Sequence, residues 1–287
     1  MNQIYLKMNN GLEIPQFGLG VCDIPKDITK DVCINAIKIG YRLIDTAHIY
    51  GNEREVGEAV KESGIDRKGL FITSKIWPTE FRKAKEAVYE MLDRMGLDYI
   101  DLVLLHQQTG AYLKAYKALE ELVEEGKVKS IGISNFESKK RLDKILSNAK
   151  ICPQIHQIEC HPFRQQHDLN NYTKDKGVLI ESWFPLARGY KELMNNEIIT
   201  SLKEKYHKTS AQIIIRWHIE EGYIVFPGTK SIEHLKENID VFDFSFTKEE
   251  MDMLHTLDGK KKFNIMPLFL QGAFNTFQAW TILSKVK

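Results

Sequence analysis

Residues 40–57 read Gly-Tyr-Arg-Leu-Ile-Asp-Thr-Ala-His-Ile-Tyr-Gly-Asn-Glu-Arg-Glu-Val-Gly. The segment opens as a short apolar run, Leu43-Ile44, and stops at a carboxylate, Asp45. Tyr50 follows, then a glycine able to turn the chain. Asn52 and Glu55 have the spacing of an N-cap and capping box, so a helix is expected to start there. A buried strand therefore delivers Asp45, Thr46, His48 and Tyr50 to one rim of the molecule.

Seven further apolar runs resemble Arg42–Asp45: Phe17–Val21, Leu70–Lys75, Tyr99–His106, Lys129–Asn135, Pro153–Glu159, Val178–Trp183 and Tyr223–Pro227. Each is nearly uninterrupted Val, Ile, Leu or Phe, the pattern of strands buried on both faces of a parallel sheet. Helices fit between them: Asp27 to Ile39, one capped by Thr79 and ending near Gly96, Ala111 to Glu125, Glu137 to Leu146, Gln166 to Lys176, and Ala211 to Glu221 capped by Ser210. Alternation repeated eight times, with no Gly-x-Gly-x-x-Gly at any strand-to-helix turn, favours an α/β fold of the closed (β/α)8 TIM barrel type over a doubly wound sheet. Ile4 to Gln16, alternating around Asn9-Asn10-Gly11, reads as an N-terminal β-hairpin. Helices around Ser231 to Asn238 and after the capping box Thr247…Glu250 follow the last strand. An apolar, aromatic extension, Phe263 to Trp280, then reads as core packing or as a flap. With no low-complexity linker, residues 1–287 read as a single barrel domain.

Composition narrows the function. Forty basic and 39 acidic residues give a net charge of +1, with no basic stripe for nucleic acid and no acidic tail. No run approaches the roughly 20 apolar residues of a membrane span, and Met1 to Asn10 lacks the layout of a signal peptide. Cys22, Cys33, Cys152 and Cys160 show no metal-ligand spacing and read as reduced thiols. A soluble cytoplasmic protein acting on a small molecule is the expectation, with no metal.

In barrel enzymes the chemistry sits at the carboxyl ends of the strands. Those ends carry Asp45, Lys75, His106, Ser134-Asn135, Gln157, Glu159, Trp183 and Gly228-Thr229-Lys230. Taken singly, Lys75 reads as a solvated end, His106 as a hydrogen-bonded core histidine and Asp45 as a turn cap. With Tyr50 they form a proton-transfer set.

Gly-Tyr-Arg-Leu-Ile-Asp-Thr-Ala-His-Ile-Tyr-Gly-Asn-Glu resembles the signature of the aldo-keto reductase superfamily. Leu-Phe-Ile-Thr-Ser-Lys-Ile-Trp, Asp-Leu-Val-Leu-Leu-His, Gly-Lys-Val-Lys-Ser-Ile-Gly-Ile-Ser-Asn-Phe and Gln-Ile-Glu-Cys-His-Pro are similar to its next blocks, in the family's order, over roughly Ile4 to Asp258. The likeness is to bacterial aldehyde and ketone reductases of the diketogluconate and aldose reductase type. It implies a barrel with a nicotinamide cofactor extended across its mouth and hydride exchange with an aldehyde or ketone. By position, Tyr50 is then the general acid. Lys75, with Asp45 as counter-ion, lowers the phenol from its reference pKa of about 10. His106 orients the substrate oxygen. Ser134, Asn135 and Gln157 match carboxamide partners, and Trp183 matches the aromatic that stacks on the nicotinamide. Gly20, Val21, Asp45 and Leu186 line the same groove. Thr229, Lys230, His234, Glu237 and Asn238 fall at the adenine end. Cys22, His48, Trp77, His106 and Gln107 fall on the substrate side. The family default is a monomer.

Three departures stand out. The family often follows the histidine with Trp-Pro, whereas this chain has Gln107-Gln108, a more polar wall. Cys22 replaces an aromatic. At the adenine end, His234 stands where many relatives carry an Arg that clamps a 2′-phosphate. NADP(H) is the expected cofactor, with NAD(H) left open. Two rivals are weighed. A metal hydrolase finds no recurring ligand set at the later strand ends. A non-catalytic nicotinamide-binding sensor or regulatory barrel has no need of all four of Asp45, Tyr50, Lys75 and His106.

Overall fold

The computed structural model describes residues 3–263. The aromatic extension to Trp280, beyond Phe263, lies outside the described residues. An antiparallel hairpin comes first, β1 (Tyr5–Lys7) and β2 (Glu13–Pro15). Eight parallel strands follow: β3 (Gly18–Gly20), β4 (Leu43–Asp45), β5 (Phe71–Ile76), β6 (Ile100–Leu105), β7 (Val128–Ser134), β8 (Ile155–Glu159), β9 (Leu179–Trp183) and β10 (Ile224–Val225). Each pairs with the next in sequence, and a parallel bridge between Phe17 and Val225 joins the last strand to the first. The Val225 N–H donates to Gln16 O at 2.9 Å across that seam. The sheet is thus a closed barrel.

Helices α1 (Lys26–Ile39), α2 (Glu53–Glu62), α3 (Ala84–Met95), α4 (Tyr112–Glu124), α5 (Lys139–Asn148) and α6 (His167–Lys174) alternate with the strands. Then come α7 (Lys191–Met194), α8 (Glu197–Tyr206), α9 (Ser210–Glu220), α10 (Ile232–Ile239) and α11 (Lys248–His255). The large apolar cluster lies between sheet and helices, where Ile44, Ile72, Val103, Ile133, Ile158 and Ile180 meet helical residues such as Val56, Met91 and Leu119. A second cluster fills the barrel floor. Leu43, Phe71, Leu104, Ile155 and Ile224 there meet Met8 and Ile14 of the hairpin. The hairpin is the plug at the amino ends of the strands.

This packing sets the direction of every strand residue. Side chains alternate along a strand, so those sharing parity with the floor residues point into the barrel. Leu43 fixes Asp45, Phe71 fixes Thr73 and Lys75, Leu104 fixes His106, and Ile155 fixes Gln157 and Glu159 as inward. Ionisable groups on those strands are inside because of where the apolar ones are.

Several expected caps are made by other residues. Asn52 makes no side-chain cap on α2, and no capping box with Glu55 forms. Its amide instead accepts from Thr46 Oγ1 at 2.7 Å and donates to Val21 O at 2.9 Å, tying the ends of β4 and β3 together. Thr79 lies within a 3-10 turn, Pro78–Lys83, at whose start Glu80 Oε2 accepts from Trp77 N at 2.8 Å, and α3 starts only at Ala84. Thr209, with Gln212, caps α9 in place of Ser210. The box Thr247…Glu250 forms as expected on α11. Helices α7 and α8 carry no signal strong enough to announce them in the sequence.

Gly57 in α2 lies against α3, where an added Cβ would fall 2.0 Å from Met95 O. In an open helix Gly→Ala would stabilise by roughly 0.5–1 kcal/mol. Here the clash is with backbone, so Gly57→Ala should instead cost about 1–3 kcal/mol of unfolding free energy in urea. An unchanged or raised midpoint would contradict the close helix approach.

Candidate active site

A cavity of about 570 Å³ opens at the carboxyl ends of the strands. Its wall includes Gly20, Cys22, Asp45, Tyr50, Trp77, His106, Gln107, Ser134, Asn135, Gln157, Trp183, Leu186, Thr229 and Lys230, all singled out in the sequence. Asp23, Ile24, Phe184, Arg188 and Phe226 also line it and carry no sequence signal of their own. Arg188 forms an exposed ion pair with Asp23 at the cavity edge.

The centre is Lys75. Its side chain is fully buried and the Asp45 side chain is 2 % exposed. An ammonium has three hydrogens, and Nζ has three acceptors: Asp45 Oδ1 at 2.6 Å, Thr46 O at 2.8 Å and Tyr50 Oη at 3.4 Å. The second Asp45 oxygen accepts from Gln157 Nε2 at 2.9 Å. With Lys75 donating to the phenol oxygen, the Tyr50 hydroxyl hydrogen is left for another acceptor. Burial pushes the Tyr50 phenol well above its usual value, with Cys22 and Asp45 pushing the same way. Burial leads that shift, so the proton stays on Tyr50, against the lowering by Lys75 that the likeness implied.

His106 follows β6 directly, its ring edge-on to Trp77 (centroids 4.8 Å apart) and to Tyr50 (5.8 Å). Burial, then the Lys75 charge, holds it well below the usual histidine range, so the ring is neutral. Its buried Nδ1 has no hydrogen-bond partner among the described residues. Asn135 adopts a left-handed φ of 62°. Its Nδ2 donates to His106 O and Ser134 Oγ, and its Oδ1 accepts from Trp183 Nε1 at 2.9 Å, pinning the indole.

Some sequence candidates lie elsewhere. Val21 is buried among the outer-layer apolar residues. His48 does not line the cavity; its Nδ1 is 2.5 Å from Glu80 Oε1, behind the rim. His234 is exposed on α10, Glu237 Oε1 accepts from Thr209 Oγ1 at 2.6 Å, and neither lines the cavity; nor does buried Asn238. Of the Gln107-Gln108 pair only Gln107 faces inward, since Gln108 Oε1 accepts from Ser138 N at 3.1 Å.

Glu181 carries no strand-end signal in the sequence. It is fully buried inside the barrel, and Oε2 accepts from Gln157 Nε2 at 2.8 Å. Gln157 thus spends both amide hydrogens on carboxyl groups, those of Asp45 and Glu181. Burial, then the Asp45 charge, pushes Glu181 up to about 8. The available signal was a Glu on the inward parity of an apolar run.

The family model for the Aldo/keto reductase family matches residues 16–258. The chain belongs to that family. Glyoxal reductase of Bacillus subtilis (strain 168) is 41% identical over 258 residues, 88% of this chain and 92% of that protein. Methylglyoxal reductase DkgA of Escherichia coli (strain K12) is 39% identical over 264 residues, 91% and 96% of the two chains. The crystal structure of a point mutant of Gox0644 in complex with NADPH superposes with a TM-score of 0.87 at 34% identity, covering 93% of this chain and all of that one. The (β/α)8 barrel is the shared fold, and this aldo-keto reductase is an oxidoreductase.

Glu181 gives a pH test. Its proton is held more tightly in the folded chain than in the unfolded one, where the ordinary value is 4.5. Between that value and about 8 the folded state binds more protons, so this group's contribution to stability falls as pH rises. Glu181→Gln removes the titration while keeping the acceptor for Gln157. Its stability relative to the parent should therefore climb between about pH 5 and pH 8, by at most ~1.4 kcal/mol per pH unit in urea unfolding. A difference independent of pH would contradict the burial of a protonated carboxyl.

Proposed function

We propose that this aldo-keto reductase uses NADPH to reduce small aldehydes, α-oxoaldehydes foremost, with Tyr50 as the proton donor. The observation that carries the reading is the Lys75 ammonium, whose three donors are divided among Asp45, Thr46 O and the Tyr50 oxygen inside the cavity. The names of the glyoxal and methylglyoxal reductases support the substrate class. The NADPH complex of a related barrel supports the cofactor.

The donor set fits a nicotinamide carboxamide. The Ser134 hydroxyl accepts from Asn135 and keeps its hydrogen to give to a carbonyl oxygen. Gln157 Oε1 and the second lone pair of Asn135 Oδ1 remain as acceptors for an amide NH2. The pinned Trp183 indole offers its face to the ring beside them. At the far end of the wall, Lys230 supplies charge suited to a 2′-phosphate.

When bound, the cofactor supplies hydride to the carbonyl carbon. The chain does the rest. Tyr50 passes its hydroxyl proton to the carbonyl oxygen, yielding the alcohol. The negative charge left on the phenol oxygen forms beside Lys75 Nζ, already 3.4 Å away, and that interaction strengthens as the charge develops. Asp45 holds the ammonium in place, and Gln157 holds Asp45. Neutral His106 offers a ring N–H to the same carbonyl oxygen and does not compete as an acid. Trp77 and Ile49 close the wall against water. Alcohol oxidation uses the same groups with the proton moving back to Tyr50.

Following loss of NADPH absorbance with methylglyoxal tests the reading. The parent should turn over, and Tyr50→Phe should lose about 10²–10⁴-fold in kcat while its NADPH affinity stays within a few-fold. A fully active Tyr50→Phe, or tight NADPH binding by the parent with no turnover on any aldehyde, would overturn it.

A further inference from the structure

Away from the cavity, His167 opens α6, Glu221 caps the end of α9 and His255 closes α11. Three helices of the outer layer thus each contribute one side chain, and one ligand atom from each lies within 4.8 Å of the others. All three residues are partly accessible, and none lines the cavity.

The hydrogen bonds around the cluster determine what it presents. Gln165 Nε2 donates to Pro162 O at 2.8 Å and to Leu254 O at 2.7 Å. Its Oε1 is therefore the atom facing His167 Nε2, at 2.8 Å. An amide oxygen only accepts, so His167 Nε2 carries a hydrogen. In the neutral ring, Nδ1 then holds a lone pair, and that atom is 3.9 Å from Glu221 Oε2. That separation is too long for a hydrogen bond. On the other carboxylate oxygen, Glu221 Oε1 lies 2.6 Å from His255 Nε2. The two imidazoles cross edge to face with centroids 5.2 Å apart. An imidazole whose tautomer is set by an outer amide, with its other nitrogen aimed at a carboxylate, is oriented as metal-ligating histidines are.

We propose that His167 Nδ1, the Glu221 carboxylate and His255 Nε2 form a zinc-class divalent cation site that pins α11 to α6 and α9. Two imidazoles and one carboxylate, with a position open to water, suit tetrahedral Zn²⁺. Mg²⁺ and Ca²⁺ take oxygen ligands and are disfavoured. Metal–ligand lengths near 2.0–2.1 Å put tetrahedral donors about 3.3 Å apart. The observed contacts of 2.6 and 3.9 Å bracket that spacing, so turning the Glu221 carboxylate evens them. The ion replaces the His255–Glu221 hydrogen bond with three metal bonds, the Nε2 hydrogen of His255 moving to its Nδ1 or to water. Its effect is structural, because the site shares no residue with the cavity.

The test uses the full chain stripped with EDTA and titrated with ZnCl₂ by calorimetry, with thermal unfolding in parallel. One equivalent of zinc should bind, and saturation should raise the melting midpoint by about 5 °C. Magnesium should do neither. His167→Gln and His255→Gln should each weaken zinc binding at least about tenfold and abolish the midpoint shift. Their zinc-free circular dichroism and aldehyde turnover should match the parent. Absence of zinc binding, equal binding of magnesium, or a stoichiometric site that survives in the double variant would overturn the proposal.

Discussion

A lysine and an aspartate are held out of water in the middle of a barrel, and the rest of the site depends on how that pair is satisfied. A buried ion pair is costly to desolvate, and its attraction offsets the cost only when every remaining donor and acceptor is occupied. Here Lys75 gives its hydrogens to Asp45, to the Thr46 carbonyl and to Tyr50, while Asp45 takes a second bond from Gln157. Gln157 in turn bonds Glu181. One ammonium therefore faces two carboxyl groups, and burial together with the Asp45 charge keeps the second protonated. The position of the Tyr50 oxygen follows from this chain of bonds.

The pair is inside because of its neighbours in sequence. Leu43 and Phe71 pack on the hairpin plug, and residues two and four positions on must point the same way. The register then sets Gly20 beside Asp45 and Asp45 beside Thr73, with Ser134 beside Gln157. Apolar packing at the floor is thereby converted into polar geometry at the mouth. Tyr50 is delivered differently, by the turn after β4, which Asn52 locks through Thr46 and Val21. That lock explains why Asn52 is absent as a helix cap.

The barrel, its hairpin and the strand-end part of the cavity wall were legible in the sequence, because eight apolar runs and the groups at their ends are local patterns, while Gly20, Cys22, Trp77, Gln107 and Leu186 were placed by the family likeness. The residues that escaped depend on contacts far apart in the chain. Glu181 looks like a stray charge in a strand until Gln157 joins it to Asp45. His48 sits two residues from Tyr50, yet Glu80 holds it behind the rim. His234, Glu237 and Asn238 were placed at the adenine end by likeness and do not line the described cavity. His167, Glu221 and His255 belong to three different helices, so no spacing rule could unite them. The Tyr50 shift also departs from the lowering the likeness implies, because burial, which no local pattern displays, leads it.

The central claim is that the buried Lys75–Asp45 pair organises Tyr50 for proton transfer. Asp45→Asn changes the charge at nearly constant shape, and kcat for methylglyoxal reduction with NADPH in excess reads the consequence. The account predicts a fall of about 10²-fold or more, with NADPH affinity little changed. An undiminished kcat would show that Tyr50 does not rely on the pair, and would contradict the account.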